Sequence, residues 1–264
     1  MTVLRAIVLG VVQGVTEFLP ISSKTHLVAV PALLGWDAPG LAFIVWLHLG
    51  TLVALVAYFF RYLLGLAAGL ARARSEERRV VGLLAVASVP AAVVGVLFEK
   101  SFERLLGHPK AAAIALLATA AILLVAEWVA GTLGGLRRLP RPLHARPGWR
   151  DAVTMGVAQC AAFLPGVSRS GSTMGAGLVG GLSRATAAEF SFLMAIAAIA
   201  GANLIEFPKL AQNGIGGPEV AGFVASLASG YAAIALLLRY LRRRSFLPFA
   251  VYCAAFAALG AFRL

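Results

Sequence analysis

The sequence predicts an all-α integral membrane protein, with six transmembrane helices plus two re-entrant helical hairpins arranged as an inverted-topology repeat. Three observations carry that reading. Hydrophobic residues make up 60% of the 264-residue chain and charged residues 13%, at a mean hydropathy of +0.88, whereas a soluble domain carries about 25% charged residues. Six apolar segments are long enough to cross about 30 Å of hydrocarbon as helices. Two further apolar regions are broken near their middles and resemble each other. Together these exclude a water-soluble enzyme built on one core, a disordered chain and a β-barrel, whose strands are shorter than these runs. The 28 glycines and 12 prolines exclude one continuous helix.

Region 2–35 opens the chain. Arg5 and the apolar run after it have the look of a targeting segment. Gln13 and Glu17 interrupt that run and no small-residue cleavage pattern follows, so it is expected to remain in the mature fold. Pro20 and the polar run Ser22-Ser23-Lys24-Thr25-His26 break the region into halves of roughly 15 residues, short of a full span. Spans are expected at 38–60, 80–98 and 110–131. Region 150–184 is broken by Pro165-Gly166 and by Ser168-Arg169-Ser170-Gly171-Ser172-Thr173. Spans at 187–207, 218–238 and 245–262 complete the chain. A backbone broken at membrane depth must be buried in protein or line a cavity, which suits a hairpin pair.

The two broken regions align. Gly10-Val11-Val12-Gln13 matches Gly156-Val157-Ala158-Gln159 at an offset of 146, and Phe18-Leu19-Pro20 matches Phe163-Leu164-Pro165 at 145, which pairs Ser23 with Ser168. Residues 1–264 therefore form one membrane domain with a first repeat half at 1–131 and a second at 150–264, and a shared central site is expected between them.

Loop charge orients this arrangement. Segment 61–79 holds five arginines and two glutamates, 131–150 five arginines, and 239–244 four arginines. If each hairpin returns to its own side, all three lie on one face, and the excess of basic residues places that face in the cytoplasm. The first hairpin then enters from outside and the second from inside, with both termini outside. The net charge of +12 is concentrated in these short segments, where it sets topology and meets anionic headgroups, so membrane lipids and not nucleic acid are the expected partners. Cys160 and Cys253 lack any metal or disulfide spacing.

The breaks carry the chemistry. Gln13 and Glu17 stand four residues apart and share a helix face. Ser22 or Ser23 is placed to cap the next helix, and a cap at Ser23 puts His26 on the same face as its hydroxyl. An ionisable Glu and His at membrane depth are costly unless they serve a site or line water. In the second break, a helix N-terminus favours an anion, and Arg169 makes bidentate contacts to phosphate.

Residues 13–23 (Gln-Gly-Val-Thr-Glu-Phe-Leu-Pro-Ile-Ser-Ser) with His26, together with Pro165-Gly166-Val167-Ser168-Arg169-Ser170-Gly171-Ser172-Thr173, resemble the bacterial undecaprenyl-diphosphate phosphatase family, the bacitracin-resistance proteins. Glu189-Phe190-Ser191-Phe192-Leu193 and His48-Leu49-Gly50-Thr51-Leu52 extend the likeness along the chain. The resemblance implies a bacterial inner-membrane enzyme whose site faces the outer, periplasmic side. Its substrate would be a polyprenyl diphosphate lipid, from which it removes the terminal phosphate to recycle the carrier for cell-wall synthesis. It implies catalytic roles for Ser23, His26 and Glu17, and phosphate binding by Ser168, Arg169, Ser170 and Thr173, with Lys24 as a further contact. It also implies a divalent cation, Mg²⁺ or Ca²⁺, with Glu17 and Gln13 as its ligands. Lys24-Thr25 stands where the family has Ser or Thr followed by Gly or Ala, and Ala197 where it often has proline.

Two nucleophiles remain open, Ser23 assisted by His26 or His26 through a phosphohistidine. A secondary transporter or lipid flippase would share the inverted repeat, but transport needs no nucleophile. Oligomeric state stays open, a homodimer included.

Overall fold

The computed structural model describes residues 1–105, 108–133, 146–164, 166–212 and 215–264, with side chains undescribed at 98–105 and 205–212. The described residues form eleven α-helices and a short 3-10 turn, with no strand. In chain order these are α1 (Val3–Phe18), α2 (Ser23–Leu33), α3 (Leu41–Tyr58), α4 (Phe60–Ala71), α5 (Ser75–Leu105), α6 (Pro109–Val129), α7 (Trp149–Cys160), α8 (Arg169–Val179), α9 (Arg184–Gln212), α10 (Gly217–Leu241) and α11 (Leu247–Arg263). Five of them, α3, α5, α6, α9 and α10, contain stretches long and apolar enough to cross a membrane. The sixth expected span, α11, has 17 residues, about 25 Å at 1.5 Å per residue. Helix α4 starts at Phe60, the end of the expected 38–60 span, and runs into the arginine-rich 61–79 segment, where the sequence predicts no helix. Arginines 137, 138 and 141 of the next such loop, and Pro165 of the second break, lie outside the described residues.

Apolar side chains cover the outside of the molecule. Val96, Leu204 and Phe262 are 73%, 78% and 89% exposed, a surface suited to lipid and costly in water. Since lipid tails are as apolar as leucine, helices here associate through close packing of small residues. Along α1, a methyl group added at Gly14 would sit 2.5 Å from the Ser226 carbonyl oxygen of α10, and one at Gly10 would sit 2.4 Å from that of Gly222.

These contacts also give direction. Gly10 meets Gly222 while Gly14 meets Ser226 and Gly230, so α1 and α10 run parallel. Gly82 of α5 meets Trp149, Ala87 meets Gly156 and Gly95 meets Phe163, so α7 runs parallel to α5. Each region read as broken is a helix, a turn and a second helix.

Both turns arrive at the middle of α6. Ile21 packs with Leu116 and Ala120, while Gly166 adopts φ +76° and lies so close to α6 that a Cβ there would come within 2.2 Å of the Ala115 carbonyl carbon. Glycine is required at that position for both reasons. Thr119 clasps the second turn: its hydroxyl donates to the Gly166 carbonyl (2.6 Å) and accepts the Ser168 amide (2.9 Å). A core of Phe18, Met174, Leu178, Phe192, Ile234 and Leu237 lies beside this junction, with Phe18 edge-on to Phe192 at 5.4 Å.

Candidate active site

Helix α1 ends at Phe18, so Gln13 and Glu17 project from its last two turns into the junction. Ser22, with φ 68°, turns the chain and is the N-cap of α2, leaving Ser23 as its first helical residue. That turn folds Ser23 back onto α1: its hydroxyl donates to Glu17 Oε2 at 2.6 Å. Gln13 Nε2 donates to the same oxygen at 3.1 Å. The other carboxylate oxygen, Oε1, accepts Arg169 Nη2 at 3.1 Å, joining the two hairpins by an ion pair in which Glu17 is 7% and Arg169 15% exposed.

His48 of α3 completes the cluster. Its Nδ1 lies 2.9 Å from the Ile44 carbonyl oxygen, which makes that nitrogen the donor, and Nε2 stands 3.6 Å from Glu17 Oε2. In the sequence, His48 stands out only as part of a family-like segment. The signal was there: a histidine within an apolar span, the same argument applied to His26.

His26 goes elsewhere. Its Nδ1 donates to the Ser22 carbonyl (2.8 Å), so Nε2 accepts the hydroxyl of Tyr252 (2.8 Å). The ring stacks on Tyr252 and tilts against Phe256 of α11, at centroid distances of 5.6 and 4.5 Å. The expected pairing of Ser23 with His26 placed Ser23 at the cap, and no hydrogen bond joins the two. With Ser22 as the cap, the serine meets a carboxylate and the imidazole meets α11.

The second turn is held by its own hydroxyls. Ser168 caps α8 by accepting the Gly171 amide at 3.1 Å and donates to Ser170 Oγ at 3.0 Å, because Ser170 donates to the Leu19 carbonyl at 2.9 Å. Thr173 donates to the Arg169 carbonyl at 2.8 Å and accepts the Ser191 hydroxyl at 2.7 Å. The three hydroxyls read as phosphate contacts thus have protein partners, and they brace the backbone that carries Arg169. Lys24 is exposed, with its ammonium 5.8 Å from the centroid of the Phe163 ring.

Two buried polar atoms in this cluster have no partner among the described residues, Arg169 Nη1 and Gln13 Oε1. One is a charged donor and the other an acceptor, and a buried group of either kind left unmet is costly. A donor fork with one arm on a carboxylate and one arm open, beside a hydroxyl bonded to that carboxylate, can bind an oxyanion and present an oxygen nucleophile to it.

The chain matches the family described as "Bacitracin resistance protein BacA" over residues 6–259. It belongs to the BacA family. Among curated relatives, "Undecaprenyl-diphosphatase" of Moorella thermoacetica is 45% identical over 260 residues, covering 98% of this chain and 97% of its own. Proteins of the same name from Pelobacter propionicus and Thermomicrobium roseum are each 43% identical, covering 96% of this chain and 93% and 94% of theirs. BacA membership and the five apolar helices make this a multi-pass membrane protein.

Proposed function

We propose that this protein is an undecaprenyl-diphosphate phosphatase of the bacterial cell membrane, hydrolysing the terminal phosphoanhydride to inorganic phosphate and the lipid monophosphate. The full-length relatives of that name support the reaction. The observation that carries the site is the open arm of Arg169 beside the Ser23–Glu17 hydrogen bond. Arg169 Nη1 binds a terminal phosphate oxygen, assisted by the positive end of α8. Glu17 accepts the proton of Ser23 as Oγ attacks phosphorus. The anhydride P–O bond breaks, the lipid monophosphate leaves, and water then releases phosphate from the serine. Ser23 is preferred to His26 as nucleophile because both imidazole nitrogens are occupied. Ser168, Ser170 and Thr173 act by bracing Arg169, and Lys24 meets the substrate at the rim.

A divalent cation fits the donor set in part. Gln13 Oε1 is a buried oxygen without a partner and Glu17 is a carboxylate next to it. Those two residues would hold the ion, the diphosphate supplying further oxygens, since no group of three or more His, Cys, Asp or Glu suited to a metal occurs among the described residues. When bound, it supplies charge neutralisation on the phosphates.

For the membrane arrangement we propose six spans, α3, α5, α6, α9, α10 and α11, with α1–α2 and α7–α8 as re-entrant hairpins of an inverted repeat. The parallel pairings support it. Counting spans, α5 and α10 cross in opposite directions, so α1 and α7 enter from opposite sides. Both turns then meet at mid-depth, near Leu116–Thr119 of the 21-residue α6. The arginine-rich loops face the cytoplasm and the site opens outward.

Purified protein is expected to release inorganic phosphate from undecaprenyl diphosphate, and a correctly folded Arg169→Ala variant to lose that activity. A parent that moves the lipid across a bilayer without releasing phosphate would replace this reading with transport.

A further inference from the structure

At the far end of α6 from its N-terminus lies a second polar centre. Glu127, fully buried at 0% exposure, accepts the Nε of Arg184 at 2.8 Å and the Phe246 amide at 2.6 Å. Arg184 Nη2 bonds both Glu127 and Thr132. One carboxylate thus ties together the end of α6, the start of α9 and the α10–α11 turn. Beside it opens a cavity of about 500 Å³ lined by Ala130, Gly131, Thr132, Arg184, Arg243, Arg244 and Ser245. That volume is in the range of small-molecule sites.

The lining is chemically one-sided. It offers three guanidinium groups, two hydroxyls and no carboxylate. Glu127 neutralises Arg184 and fixes its fork, whereas Arg243 and Arg244 have no ion pair among the described residues. The cavity therefore carries an excess of two positive charges at the ends of helices, where phospholipid headgroups lie. Planar guanidinium forks match phosphate oxygens, and basic pockets between helices on the cytoplasmic side take anionic headgroups. Among the described residues no hydrogen bond or ion pair links this centre to the Glu17 cluster, which lies near the middle of α6.

We propose that this cavity is a binding site for a phosphate group, occupied in the membrane by an anionic phospholipid headgroup held by Arg243, Arg244 and the Glu127-anchored Arg184. The proposal is independent of the hydrolytic reading.

The test follows the thermal unfolding midpoint of the full-length protein in neutral-detergent micelles while phosphatidylglycerol, phosphatidylcholine or inorganic phosphate is added. Phosphatidylglycerol is expected to raise the midpoint saturably, and phosphatidylcholine to leave it near its starting value. The Arg243→Gln/Arg244→Gln variant, and each single replacement, should unfold at the parent's temperature without lipid. The double variant should need at least about tenfold more phosphatidylglycerol for the same rise. Arg72→Gln/Arg78→Gln, which removes two exposed arginines elsewhere, should respond like the parent. A rise produced by inorganic phosphate alone would support the site with a free anion as its source. No saturable rise with either anion would overturn it. So would a parent-like response in the Arg243/Arg244 variant, or an equal loss in the Arg72/Arg78 control.

Discussion

At the scale of single residues, the account turns on what one carboxylate does. Glu17 gathers Ser23, Gln13, Arg169 and His48, and burying it without Arg169 would leave an uncompensated charge. Arg169→Lys keeps the charge but loses the planar fork, one arm of which holds Glu17 while the other is the proposed phosphate contact. Turnover should fall by about 10²–10³-fold, the cost of losing one transition-state donor, with helical circular dichroism unchanged. Tyr252→Phe separates packing from catalysis. It removes the hydroxyl that fills His26 Nε2, costing about 1 kcal/mol of stability, and turnover should stay within about twofold. A large loss of activity without loss of stability would give His26 the chemical role. Most of this site was legible in the sequence, because Glu17 and Arg169 are ionisable groups in otherwise apolar stretches. The partner of Ser23 was not legible. Ser22 turns the chain at φ 68° so that the Ser23 hydroxyl meets Glu17 while His26 meets Tyr252 of α11, and neither tertiary contact is written in the local residue spacing.

At the scale of helices, small residues decide which elements can touch. Gly166→Ala should destabilise the protein by more than about 2 kcal/mol and abolish activity, because its positive φ and its contact with Ala115 both forbid a Cβ. Gly65→Ala in α4, where nothing lies within 4 Å, should leave stability unchanged or raise it by under about 1 kcal/mol. Thermal unfolding in detergent measures both. The helices themselves were largely visible in advance, since hydropathy over about 20 residues is a strong signal. Helix α4 was hidden because its apolar stretch, 62–71, is short and flanked by Arg61 and Arg72, so charge made the segment read as loop. The partners of α1 and α7 were not visible either, because pairing depends on which glycine faces which carbonyl, and the hydrophobic pattern says nothing of that.

At the scale of the whole molecule, the turn after α1 and the start of α8 bring the carboxylate of Glu17 and the hydroxyl of Ser23 against Arg169. In the proposed inverted repeat, Glu17 and Ser23 fall in the half at 1–131 and Arg169 in the half at 150–264, so neither half alone would have the site. In a background without Cys160 and Cys253, a cysteine at exposed Asp37 should react with an impermeant thiol reagent added outside intact cells. One at exposed Arg72 should react only after the membrane is opened, and the reverse pattern would invert the topology. The central claim, that Ser23 primed by Glu17 attacks a phosphate held by Arg169, is tested most directly by single-turnover trapping with undecaprenyl diphosphate labelled in its terminal phosphate. The account predicts an acid-stable phosphoenzyme that maps to Ser23 and is missing from Ser23→Ala, which no longer turns over. An acid-labile label on His26, or full turnover by Ser23→Ala, would contradict it.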